Sequence, residues 1–86
     1  MGKTAEALKQ VDTQIERLKA EIAKTQREYT EALKEAAKGG GEISDFLKRA
    51  GDLMAHEARL RRLQVELQEL RWRRVDLMAE VDPWEL

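Results

Sequence analysis

The feature that most constrains this chain is the spacing of apolar residues in its first half. Leu8, Val11, Ile15, Leu18, Ile22, Thr25, Tyr29, Ala32 and Ala36 follow one another in unbroken steps of three and four. A helix turns once per 3.6 residues, so this alternation keeps all of those side chains on one narrow stripe, the a/d seam of a coiled coil. Glu6–Lys9, Glu16–Lys19 and Glu31–Lys34 place opposite charges at helical spacing on the remaining faces. The pattern predicts a first helix over residues 4–38.

Gly39, Gly40 and Gly41 end that helix. Glycine enters the φ > 0 region freely, which makes it the usual residue just past a helix C-terminus. Lys34 and Lys38 sit in the last turns, where cations suit the helix dipole. Ser44 has the side chain of an N-cap and Asp45 would lie in the following first turn. The turn is thus predicted at 39–44 and a second helix at 45–81, with Pro83 disfavouring helical geometry at Asp82. Residues 82–86 form a short tail. A break at Gly51, with Asp52 capping a new helix, is the alternative, because a mid-helix glycine costs roughly 1 kcal/mol against alanine.

The second helix carries its own seam at Phe46, Leu53, His56, Leu60, Leu63, Leu67, Leu70, Leu77 and Val81, with Arg49 and Arg74 on two of its positions. Two helices of matched length joined by a short turn pack antiparallel. The register that centres the turn pairs Leu8 with Leu77, Val11 with Arg74, Ile15 with Leu70 and Leu18 with Leu67. It continues through Ile22–Leu63, Thr25–Leu60, Tyr29–His56 and Ala32–Leu53. Ile15, Leu18, Ile22, Leu60, Leu63, Leu67 and Leu70 are expected to hold the hairpin shut. The alanine-rich tip is expected to be the looser half, and the rod to be about 50 Å long. The expected fold is all-α: a two-helix antiparallel coiled-coil hairpin spanning residues 1–86 as one domain, assembling further into a helical bundle or ring.

Composition narrows the function classes. Charged residues make up 38% of the chain and aromatics 5%, which suits a coiled coil and is too polar for a deep globular core. Sixteen basic and 17 acidic residues nearly cancel, so a nucleic-acid role would have to rest on a local patch. There is no cysteine, hence no disulfide and no thiolate metal site. The N-terminal residues lack the apolar stretch of a signal peptide and the serine or threonine of a myristoylation signal. No apolar run approaches the length of a membrane span. The expected location is cytoplasmic, away from any membrane.

Two features of the second helix point outward. Val65, Trp72, Ala79 and Leu86 recur at intervals of seven, off the seam, with Val75 and Met78 beside them; Leu47 and Met54 form another off-seam pair. A hairpin has nothing of its own to cover a tryptophan on that face, and exposed apolar patches mark contact surfaces. Against this stands a plainer reading, in which Trp72 lies flat under the stems of Arg71 and Arg73 as a solvated surface residue. The protein contact is therefore placed at Val65, Trp72, Val75, Ala79, Trp84 and Leu86. A second copy of the chain is the preferred partner, because a self-complementary surface needs no other protein. Trp84 in the tail could instead cap the open end beside Leu8 and Thr4.

The second feature is arginine. Arg59, Arg61, Arg62, Arg71, Arg73 and Arg74 crowd a stretch whose intervening acids are Glu66 and Glu69. Arginine binds phosphate with a bidentate fork, so a nucleic-acid-binding arm is the alternative function. These arginines spread around the helix rather than sharing a face, and the acids of the first helix are available to pair with them. Nothing calls for catalysis, a cofactor or a metal. His56 is the sole histidine, expected against Tyr29 or Glu57, and the triple glycine lacks the strand and the Lys-Ser/Thr ending of a phosphate loop.

The segment Ala37-Lys38-Gly39-Gly40-Gly41-Glu42-Ile43 between two heptad helices resembles the tip of the tRNA-binding arm of seryl-tRNA synthetases, an antiparallel hairpin with a Gly-Glu-Asp-like turn. Ile43 departs from that turn and the likeness covers the turn alone. Hairpins of this size also resemble the oligomerisation segments of phage small terminase subunits and secretion-system chaperones. These likenesses consist of shared periodicity and identify no family. The function expected from the residues is a non-enzymatic interaction module that self-associates and serves as an assembly factor, adaptor or small regulator, of the phage or secretion kind.

Overall fold

A computed structural model describes residues 2–39 and 41–81. It consists of two helices, α1 (Lys3–Ala37) and α2 (Ile43–Glu80), folded against each other. They run antiparallel, since Arg74 reaches Asp12 near the open end while Arg59 reaches Glu21 nearer the turn. The all-α hairpin read from the heptads is the fold.

At the turn, Lys38 keeps helical angles and donates its N–H to the Glu35 carbonyl, after which Gly39 adopts φ 65°. That is the left-handed conformation that ends a helix and costs glycine least. Gly41 follows at φ 89°. The chain then re-enters helix at once. The carbonyl of Glu42 accepts the N–H groups of Asp45 and Phe46, so Glu42 holds the cap position, with no side-chain cap bond. Ser44 is therefore the second residue of α2 rather than its cap. The glycine turn delivers the backbone in helical register two residues sooner than capping preference suggested. α2 runs through Gly51 without a break; a local cost of roughly 1 kcal/mol does not interrupt the helix.

The seam of α1 is as spaced. Leu8, Val11, Ile15, Leu18 and Thr25 are buried, and Ile22, Tyr29, Ala32 and Ala36 are half-buried. On α2, Leu63 and Val81 are buried, and Leu53, His56, Leu60, Leu67, Leu70 and Leu77 are half-buried. Arg49 is also half-buried, at its seam position. Each fully buried aliphatic side chain contributes about 1.5–3 kcal/mol. Those contributions concentrate away from the turn: beyond Thr25 no described residue of α1 is fully buried, and the tip is the looser half. The tightest packing extends further toward the open end than the aliphatic middle, reaching Leu8, Val11 and Val81.

Phe46 was expected in the seam and is exposed. The cause is geometric: its opposite position falls at Gly39, where α1 has ended and no side chain is present to cover it. The rod measures 65 × 14 × 13 Å. This exceeds about 50 Å because α2 has 38 residues, which alone span about 57 Å at 1.5 Å each.

Among the described residues Thr25 is the most deeply buried side chain, 1% exposed. Its hydroxyl donates to the Glu21 carbonyl one turn back, at 2.9 Å, which satisfies its proton without leaving the seam.

Candidate functional site

The two helices differ sharply in what they show to solvent. Among the described residues, the exposed large hydrophobic side chains are Leu33 on α1 and Ile43, Phe46, Leu47, Met54, Val65, Trp72, Val75 and Met78 on α2. The outer face of α1 carries Lys9, Thr13, Glu16, Ala20, Arg27 and Lys34, an ordinary solvated surface. Glu16–Lys19 and Glu31–Lys34 close there as expected, each at 3.5 Å, joined by Glu35–Lys38 at 2.9 Å.

The exposed residues of α2 are ordered. Leu47, Gly51, Met54, Ala58, Arg61, Val65, Gln68, Trp72, Val75 and Ala79 succeed one another in steps of four and three, and every one is exposed. This is a second a/d stripe on the side of α2 opposite the hairpin seam. Its large side chains are open to water: Met54 is 70% exposed, Leu47 and Trp72 62%, Val65 57% and Val75 55%. Trp72 thus presents most of its surface to water. Of the contact residues expected from sequence, Val65, Trp72, Val75 and Ala79 all lie on this stripe, whereas Trp84 and Leu86 fall outside the described residues. Sequence reasoning missed Ala58 and Gly51 and set Leu47 and Met54 apart. The same spacing, followed toward the turn across the polar interruptions at Gln68 and Arg61, joins them.

The arginines divide. Arg74 Nε donates to Asp12 Oδ1 at 2.7 Å and Arg59 to Glu21 Oε2 at 3.0 Å, both across the seam. Arg61 is held by Glu57 one turn back on its own helix. Exposed pairs of this kind contribute a few tenths to about 1 kcal/mol each. They also fix where the guanidinium groups lie. Arg62, Arg71 and Arg73 form no ion pair with a described residue, and they occupy different flanks of α2. Three arginines engaged by acids and three divided between flanks do not make a continuous basic strip. His56 Nδ1 stands 4.0 Å from Glu28 Oε2, a separation beyond hydrogen-bond reach.

The grooves along the rod are open and shallow. One runs beside the seam between Arg17 and Glu21 of α1 and Glu66, Glu69 and Arg73 of α2; another passes under Trp72 toward Asp76 and Glu80. Among the described residues no cluster of His, Asp and Glu could hold a metal ion, and no helix is long and apolar enough to cross a membrane. Comparison with protein-family models, with curated proteins and with solved structures yields no match.

Proposed function

We propose that this chain is a non-enzymatic protein–protein interaction module, a stiff hairpin that holds one apolar helix face outward for another helix to cover. Its preferred partner is a second copy of itself, and its role is that of an assembly factor, adaptor or small regulator. The observation that carries this reading is the outer stripe of α2, repeating in heptads while the corresponding face of α1 is polar. Monomeric proteins rarely leave contiguous apolar patches larger than a few hundred Å² uncovered. A stripe with coiled-coil spacing is the form that a partner helix recognises.

The arginines fit the same reading. Arg59 and Arg74 are drawn to α1, which stiffens the hairpin that presents the face. The test is solution mass by light scattering across a concentration series. The expected mass is well above the 9.9 kDa of one chain, falling back to 9.9 kDa for Trp72→Glu with helicity retained. A wild-type mass that stays at 9.9 kDa at millimolar concentration would overturn self-association.

A further inference from the structure

We infer that two copies pair antiparallel through the outer stripe of α2, about a two-fold axis between Glu66 and Leu67; the inference rests on the self-association just proposed. The axis is the register in which no like charges meet and Arg61 seats on Trp72. Antiparallel coiled coils set each a position against a d position of the partner, while the residues flanking the stripe meet their own kind across the axis. With the axis there, Val65 faces the other copy's Gln68, Ala58 faces its Val75 and Met54 faces its Ala79. Arg61, the one cation inside the stripe, faces the other copy's Trp72. A guanidinium over an indole face is the favoured partner for both groups. Arg61 is already held by the bond it donates to Glu57.

The flanks agree. One row of flanking residues reads Lys48, Ala55, Arg62, Glu69, Asp76, basic toward the turn and acidic toward the open end. Reversed against itself on this axis, the row brings Arg62 to Glu69 twice and Ala55 to Asp76 twice. The other row brings Gln64 to Arg71 and Glu57 to Met78. No like charges meet. A shift of one heptad toward the turn gains Glu57–Arg71 and Lys48–Asp76, but it sets Arg62 against Arg62 and moves Trp72 from Arg61 to Met54. A shift of one heptad the other way sets Glu69 against Glu69 and Arg71 against Arg71. A parallel pair stacks Arg61 on Arg61 inside the stripe and aligns the two α2 dipoles, both of which oppose association.

The area suffices. Met54, Ala58, Val65, Trp72, Val75 and Ala79 together leave on the order of 500 Å² of apolar surface per chain, or about 1,000 Å² in the pair, the lower bound of specific interfaces. The product is a row of four helices in which α2 lies between α1 and the other α2.

The absence of cysteine makes the test clean. Val75→Cys mixed with Ala58→Cys should give a mixed disulfide dimer under mild oxidation. Val75→Cys alone should not cross-link, because the two copies of that position lie about 25 Å apart along the axis at 1.5 Å per residue. In parallel, Arg62→Glu should weaken dimerisation about ten-fold, and Arg62→Glu with Glu69→Arg should restore it to within about three-fold. Circular dichroism confirms that each variant keeps its helices. Self-cross-linking of Val75→Cys, or no mixed product while the mass remains dimeric, overturns the antiparallel register and leaves self-association standing. A monomeric mass overturns both.

Discussion

Thr25 offers the sharpest check on how the seam works, because its two γ substituents act in opposite directions. The side chain is 1% exposed, so both its hydroxyl and its methyl are out of water. The hydroxyl bonds the Glu21 carbonyl at 2.9 Å, the carbonyl that also receives Thr25's own backbone N–H in the helix. A second donor on an acceptor already in use returns little, about 0.5–1 kcal/mol, against a burial cost of about 1–3 kcal/mol for the hydroxyl. Thr25→Val keeps the β-branched shape, removes the hydroxyl and leaves Glu21 with its helical bond. The expected outcome is a gain of about 1 kcal/mol, a rise of roughly 4–8 °C in Tm for a chain of this length. Thr25→Ser makes the reverse change, keeping the hydroxyl and deleting the methyl. It should lose about 1 kcal/mol, the transfer of one buried methyl with a small void added. Urea unfolding followed by helical circular dichroism measures both, at one fixed protein concentration because association is linked to stability. A valine variant less stable than wild type by 1 kcal/mol or more would refute the reasoning. The Thr25 hydroxyl would then be stabilising the fold by a route other than its local bond.

Gly51 sits within α2 with nothing within 4 Å of where a Cβ would be, so Gly51→Ala should stabilise by about 1 kcal/mol in thermal unfolding; Gly39→Ala, at φ 65°, should destabilise by about as much. Leu63→Ala empties the most buried leucine of α2 and should cost about 2–5 kcal/mol in the same assay. A double-mutant cycle of Asp12→Ala and Arg74→Ala should return a coupling of about 0.2–1 kcal/mol that shrinks as salt is raised; a coupling indifferent to salt would contradict the half-exposed setting of the pair.

The seam could be read from sequence because three-four spacing is a property of one chain segment and needs no knowledge of its neighbours. The register followed because the glycines pin the turn, and Asp12–Arg74 closes beside the expected Val11–Arg74 position. What escaped depended on information outside the local pattern. Phe46 fits the heptad, but a heptad does not record where the opposite helix stops. Ser44 has the right side chain for a cap, yet the φ values of Gly39 and Gly41 decide where helical geometry resumes. The outer stripe was half legible. Val65, Trp72 and Ala79 stand out at intervals of seven, while Arg61 and Gln68 disguise its continuation to Ala58, Met54 and Leu47. The acids of α1 were recognised as partners for arginine, but which acid meets which arginine is set by the helix crossing and not by either sequence alone.

The uneven depth of the seam bears on how the molecule forms. The contacts that bury most, around Leu8, Val11, Leu63 and Val81, join parts of the chain remote from each other, whereas those beside the glycines bury little. Zipping from the turn, the cheapest order in chain entropy, therefore gains little until it reaches Thr25 and Leu63, near the middle of the rod. Closing the remote ends costs only about 1 kcal/mol more than closing the near ones, since that cost grows with the logarithm of the enclosed length. The burial that holds the hairpin shut thus spans its middle and open end, which leaves the glycine end to fray first.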